Sequence, residues 1–243
     1  MKHWLSALSP LFPFLAAPAF AAHPLITEDT GTQGKGNWQL ELNGERNKDS
    51  VDGETIRAKQ GNAVLSYGFI EKADLQVGLP YQDNGLEKGK GDTAIDVKWR
   101  FHESGPLSLG LKPGITLATG DDERGLGTGR VTWGTLAIVS YDVEGAALHS
   151  HVGYRNNDNK QGLRKSLWHV SAAIWWKATE KLKVVGDLGY DTNPDPSSDK
   201  LVRQEVYGLI YSITRDIDLD AGYRRGNAPA VDRAYMAGIT LRF

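Results

Sequence analysis

RAYMAGITLRF, residues 233–243, ends the chain. Counted back from Phe243, every second position is Leu241, Ile239, Ala237 and Tyr235; between them stand Arg242, Thr240, Gly238 and Met236. A period of two is the spacing of side chains on the two faces of a β-strand. Chain ends in water usually fray through polar residues. This stretch instead holds one apolar face and one mixed face to its final residue, which predicts a strand paired along its whole length.

The same alternation recurs upstream. In GDTAIDVKWRF (91–101), Thr93, Ile95, Val97, Trp99 and Phe101 share one face, and Asp92, Asp96, Lys98 and Arg100 share the other. In LWHVSAAIWW, Trp168, Val170, Ala172, Ile174 and Trp176 oppose His169 and Ser171. Twelve such runs are predicted, at roughly 37–46, 60–69, 74–82, 91–101, 107–118, 130–141, 146–156, 166–177, 182–191, 203–213, 217–225 and 233–243. In the sixth and tenth both parities carry apolar residues, so their faces are left unassigned. No amphipathic helix competes with the pattern.

The connectors alternate in length. Short links (FIEKAD, HESGP, VEG, TEK, TRD) follow the even-numbered runs. Longer polar links (NKDSVDGETIRAK, NGLEKGK, DDERGLGTG, NNDNKQGLRK, TNPDPSSDK, GNAPAVD) follow the odd-numbered ones. Long loops therefore gather at one end of an up-and-down meander, the layout of an outer-membrane barrel. GLGTGR (125–130) lacks the G-K-[ST] ending of a phosphate loop and opens a strand; it is expected to be a flexible outer loop.

A soluble antiparallel sandwich also alternates, but its polar side faces water and its apolar side a core. Here the polar face is charged too often to be a packed core, where each unpaired charge costs several kcal/mol. The aromatic residues Trp38, Tyr67, Trp99, Tyr154, Trp168, Trp176, Tyr235 and Phe243 lie near strand ends, where amphipathic rings meet lipid headgroups. The expected fold is therefore an all-β transmembrane up-and-down antiparallel barrel of about 12 strands, with outer-membrane lipid as its surroundings. The last strand should close against WQLELNGER so that every backbone group is paired within the bilayer.

Composition narrows the function. The chain has 243 residues and no cysteine, which removes disulfides, thiolate nucleophiles and cysteine-held metals. Lys and Arg number 28 against 30 Asp and Glu, so nothing marks a nucleic-acid partner. Residues 1–21 read as a cleaved secretory signal: Lys2, an apolar middle, and Ala19-Phe20-Ala21 as the cleavage site. Pro10, Pro13 and Pro18 would break a membrane-anchoring helix. The division is thus 1–21 signal, 22–36 a periplasmic segment or a small plug folded into the lumen, and 37–243 the barrel. The expected destination is the outer membrane of a Gram-negative bacterium.

Two resemblances add to this. The terminal pattern Tyr235, Ile239, Leu241, Phe243 resembles the signal by which the barrel-assembly machinery recognises outer-membrane proteins, which implies that partner during biogenesis. HPLITEDTGTQGKGNWQLELNGE (23–45), VLSYGFIEKADLQVGLPY, KGKGDTAIDVKWRF, GLGTGR and AGITLRF resemble the Gram-negative "MetA-pathway of phenol degradation" family, over essentially the whole mature chain. That resemblance implies an outer-membrane transporter, and its name implies aromatic cargo; it carries no catalytic or ligand-binding motif.

With apolar faces turned to lipid, the candidate lumen lining is Glu41, Asn43, Asp96, Lys98, Arg100, Lys112, His149, His151, His169, Lys183, Asp187, Asp220 and Arg224. The two signs are balanced, whereas a strongly selective pore shows an excess of one. His149 and His151 share a face and, with Asp187 or Glu41, could be imagined around a metal, but His-x-His alone is a weak signal; no metal or cofactor is expected. Three functional readings stay open: passage or uptake of small solutes, aromatic or hydrophobic ones among them; a narrow structural barrel without transport; and a barrel enzyme such as a lipase. For the last, adjacent His149 and Ser150 point to opposite faces and cannot pair as base and nucleophile, so no catalytic residue is assigned.

Overall fold

The computed structural model of the protein describes residues 23–51, 54–228 and 232–243; the predicted signal, 1–21, lies outside them. The described chain holds β-strands β1 (Trp38–Val51), β2 (Glu54–Ile70), β3 (Ala73–Asp83), β4 (Lys88–Lys90), β5 (Thr93–Ser104), β6 (Leu107–Leu117), β7 (Thr132–Val143), β8 (Ala146–Asn156), β9 (Ser166–Lys177), β10 (Leu182–Asp191), β11 (Val202–Ser212), β12 (Ile217–Gly226) and β13 (Arg233–Arg242). All pairs are antiparallel; most join sequence neighbours, while β3 pairs both with β5 and with the short β4. β1 pairs with β13 as well as with β2, and this closes a barrel of twelve strands with β4 outside the ring.

Closure runs to the last residue. Trp38 N–H donates to the Phe243 carbonyl at 2.7 Å, and Phe243 N–H returns to Trp38 at 3.0 Å. Lipid offers no substitute partner, so an unpaired seam would leave a row of bare peptide groups in hydrocarbon. The apolar parity faces outward: Leu42, Leu75, Leu79, Trp99, Val139, Leu148, Val170 and Ile174 are all exposed. Aromatic residues ring the ends of this wall, some in contact, as in Trp38–Tyr67 at 4.4 Å and Tyr154–Trp168 at 5.0 Å between centroids.

The structure differs from the sequence reading in the loops. NKDSVDGETIRAK is strand for most of its length: β1 and β2 remain paired out to Val51 and Glu54. Its polar residues looked like a loop because a hairpin that rises beyond the bilayer needs no apolar face. Part of NGLEKGK is strand β4. GLGTGR is pinned, not free. Asp92 accepts from Gly120 N–H at 2.9 Å and from the Thr128 N–H and hydroxyl at 2.7 Å, and Leu126 is 2 % exposed.

The two runs with mixed faces are now assigned. In β7, Trp133, Val139 and Tyr141 face out and Thr132, Ile138 and Ser140 face in; in β11, Tyr207, Leu209 and Tyr211 face out and Gln204, Val206 and Ile210 face in. The inward apolar residues have a reason. Ile210 packs in a cluster with Leu25, Ala173 and Val185, and Val206 in one that includes Ile26. Both meet the segment that precedes the barrel.

Candidate functional site in the barrel lumen

Residues 23–36 lie within the barrel and run round its inner wall. His23 pairs with Asp220 on β12. Ile26 and Thr27 donate backbone N–H groups to one oxygen of Asp187 on β10, at 2.8 and 2.7 Å, and the Thr27 hydroxyl reaches the other oxygen at 2.8 Å. Glu28 N–H donates to His151 Nδ1 on β8 at 2.9 Å. Thr30 meets Ser140 on β7 and Ser108 on β6, and Gln33 N–H meets Asp74 on β3. Gly36 N–H then donates to Gly68 on β2 at 2.7 Å, and the chain enters β1. The segment therefore visits most of the barrel wall in turn before joining it.

Glycines on the inner face make room for this path. A Cβ on Gly208 or Gly222 would press on Pro24, one on Gly189 on Ile26, and one on Gly110 on Thr30. On Gly68 it would collide with the Gly34 carbonyl. At Gly68 two backbones approach, and at the other positions a side chain of the segment takes the space of the missing Cβ; the conformational freedom of glycine is not what is used.

At the centre of the path, Glu28 is fully buried between Lys98 Nζ at 3.0 Å and Lys112 Nζ at 2.5 Å, and Asp29 adds a second contact to Lys98 at 3.5 Å. Two cations from β5 and β6 thus face two anions from the segment. His151 accepts at Nδ1, so its ring proton sits on Nε2 in the neutral form. His149 bonds the Ser140 hydroxyl at 2.8 Å. Among the described residues no group of three or more His, Asp or Glu stands close enough to hold a metal.

The other candidate lining residues also sit on the inner parity. Glu41 is buried and accepts from Gln39 at 2.5 Å. Arg224 binds Glu45 at 3.0 Å, Arg100 lies 3.5 Å from Glu103, and Lys183 sits 4.7 Å above the Trp175 ring. Asn43 stands beside Gly238 and His23. The structure gathers Asp220, Asp187, Lys98, Lys112, His149 and His151 around one segment. Arg100 and Arg224 stand apart from it.

On the long-loop side of Lys112 lies a cavity of about 80 Å³, lined by Asp96, Thr116, Leu136, Arg155, Leu167, His169 and Asp191 among others. Register explains its shape. Asp96, Gly114, Gly134, Arg155 and Leu167 are successive cross-strand partners on β5 to β9. Two glycines therefore open a floor between an acid and a guanidinium whose Cα atoms are at most roughly 14 Å apart along the wall. His169 Nδ1 is 2.6 Å from Asp191, a carboxylate that only accepts, so its free Nε2 is an acceptor when the ring is neutral. That Nε2 and Asp96 Oδ2 are buried without a partner, an unusual state for polar atoms unless something else comes to meet them. Arg155, which also lines the cavity, was legible as an inward residue of its strand; Thr27, Glu28 and Thr30 were not, since their segment has no periodicity. The inward glycines were the signal that could have found them.

Chemically, the lumen offers a fixed charge network below and, above it, two unsatisfied acceptors with a guanidinium nearby. Ser150, the serine between His149 and His151, donates to the Ser171 carbonyl at 2.8 Å on the outer parity, away from both flanking histidines, which face inside.

The fold has solved counterparts. An outer membrane channel from Pseudomonas putida F1 aligns with a TM-score of 0.68 at 13% identity, over 88% of this chain and 98% of that one. The NanC porin aligns at 0.62 with 11% identity, over 83% and 98%, and the KdgM porin at 0.60 with 9%, over 84% and 99%. At such identities the likeness is one of fold, that of outer-membrane β-barrels. No curated protein sequence matches the chain. The family described as "Putative MetA-pathway of phenol degradation" matches residues 21–243, and the chain belongs to that family.

Proposed function

We propose that the protein is an outer-membrane channel for small solutes whose lumen is narrowed by its own residues 23–36. The observation that carries this reading is the manner in which the lumen is filled. A barrel that needed only stiffness could fill with wall side chains. Here a separate strip of chain is held by side-chain bonds to strand after strand, an arrangement that can be released without breaking the wall. By the loop-length rule the long-loop end faces outward and the short turns face the periplasm. Solutes then enter through the cavity between Asp96 and Arg155 and meet the segment beyond it. The apolar flanks Leu136 and Leu167 beside a guanidinium suit a small organic anion with an apolar body, and the family's name supports an aromatic one. The structural neighbours that are channels and porins support a channel. The outward-facing Tyr235, Ile239, Leu241 and Phe243 serve in this reading as the signal to the assembly machinery.

The second reading, a structural barrel without transport, draws on the two-against-two charge balance around Glu28. Conductance of the refolded protein in planar bilayers separates the two. Full-length protein should give small or intermittent currents, and protein lacking residues 23–36 a larger steady one. Silence from both, with folded barrels verified by heat-modifiable gel mobility, would leave the structural reading.

A further inference from the structure

The outer wall carries a band of basic residues that the channel reading does not use. On the outward parity, near the long-loop end, Arg225, Arg233, Lys48 and Arg57 are successive cross-strand partners on β12, β13, β1 and β2. One step nearer the membrane centre the row reads Tyr207, Tyr223, Tyr235, Arg46 and Lys59, and ends on Asp83 of β3. All of these cations are exposed. Arg225 is engaged by Glu205 at 2.6 Å, and Arg233 lies 3.7 Å from Asp232. Among the described residues, Arg46, Lys48, Arg57 and Lys59 have no ion pair.

This placement is adverse for the protein alone. Like charges directly opposite one another across a strand pair destabilise it. Here Arg46 faces Lys59, and Lys48 faces Arg57 on one side and Arg233 on the other. The depth is informative too. Trp38 marks the short-turn edge of the wall. Eight residues of strand at about 3.3 Å each, tilted by about 40°, place Arg46 roughly 20 Å above it, and Lys48 lies roughly 25 Å above, the height of an outer-membrane barrel's apolar band. The tyrosines then lie at the outer interface and the cations level with headgroups.

We propose that this face, β11 to β2, binds the phosphate groups of a phosphorylated glycolipid of the outer leaflet. Its acyl chains would lie along the apolar wall below the tyrosine row. Lysine and arginine are the usual phosphate partners, with Arg forming paired bonds. Bound phosphate groups bridge rows that otherwise repel, which gives the like-charge pairs their stabilising counter-ion. A protein partner would not need the apolar wall directly beneath the band. Free phosphate would not use the tyrosine row.

The test uses the full-length protein in zwitterionic detergent. Melting temperature is followed on adding bisphosphorylated lipid A, its dephosphorylated form, or inorganic phosphate at matched phosphate concentration. Wild type should be stabilised by the bisphosphorylated lipid well beyond the other two. The Lys48→Gln/Arg57→Gln double variant should lose at least tenfold in apparent affinity. Without lipid it should melt no lower than wild type, because a repulsion has been removed. If that variant does not fold, Arg46→Gln/Lys59→Gln carries the same expectation. Equal stabilisation by the dephosphorylated lipid, equal response of wild type and variant, or an equal effect of inorganic phosphate would each overturn the proposal. None of these outcomes bears on conductance, so the channel reading stands or falls separately.

Discussion

Glu28 is the residue on which the lumen turns. Its side chain is fully buried, as is that of Lys112, and that of Lys98 is 7 % exposed. Removing one member of a buried ionic group leaves its partners charged and unmatched, at a cost of about 3–5 kcal/mol. The wall strands are held by complete backbone ladders and do not depend on this network. The loss therefore falls on the docking of residues 23–36. For Glu28→Gln we expect the segment to come away while the barrel melts as before. The segment should become cleavable by added protease in folded barrels, and bilayer currents should rise toward those of the truncated chain. Asp29→Asn should change both much less, because the Asp29 side chain is 28 % exposed, against none for Glu28, and its contact with Lys98, at 3.5 Å, is longer than that of Glu28 at 3.0 Å. Lys98, Lys112, His149 and His151 were readable as inward residues from parity alone. Their partner was not, because Glu28 sits in a stretch whose order comes from side-chain bonds to strands up to 197 residues away, as with His23 and Asp220.

At the scale of elements, strands declared themselves and the inner segment did not. Alternation is imposed by two solvents, lipid outside and polar lumen inside, and it ends where those solvents end. This is why β1 and β2 are longer than their alternating runs: a hairpin that rises beyond the bilayer needs no apolar face, and no period is required. The inward glycines Gly68, Gly110, Gly189, Gly208 and Gly222 look in sequence like weak points in strands. They are the imprint of the chain that lies on them. Gly68→Val should therefore expel the segment without unpairing β2, since a Cβ there meets the Gly34 carbonyl. The natural chain has no cysteine, so Thr27→Cys makes a clean reporter. Thr27 is 1 % exposed, and its thiol should resist a water-soluble maleimide in the otherwise wild-type barrel. In the Gly68→Val background it should label at the rate of an open thiol. Slow labelling in both would mean that the segment tolerates the side chain and that the glycine track is not what seats it.

For the whole molecule, the wall is a solvent boundary, and tolerance of charge should map its depth. Leu109, Val139, Ser150 and Ala172 are successive outward partners across β6 to β9. Ala172 lies midway along β9 between the interfacial Trp168 and Trp176, which places that row near the bilayer midplane. Ile115 and Trp133 form a row nearer the long-loop edge, and Ile95 is the next partner along it. An arginine on the lipid face costs about 2–4 kcal/mol at the midplane and about 0–1 near an interface. Val139→Arg and Leu109→Arg should therefore lower stability in lipid vesicles by about 2–4 kcal/mol, and Ile95→Arg by much less, although all three are apolar residues of the same parity. Denaturant titration of the refolded protein in vesicles measures each. Asp96→Ala, on the opposite parity beside Ile95, should leave assembly intact, because its carboxylate oxygen Oδ2 has no protein partner to lose. Equal losses at Ile95 and Val139 would place the membrane higher on the wall, and would move the tyrosine and arginine rows down into hydrocarbon, where a lipid phosphate could not reach them.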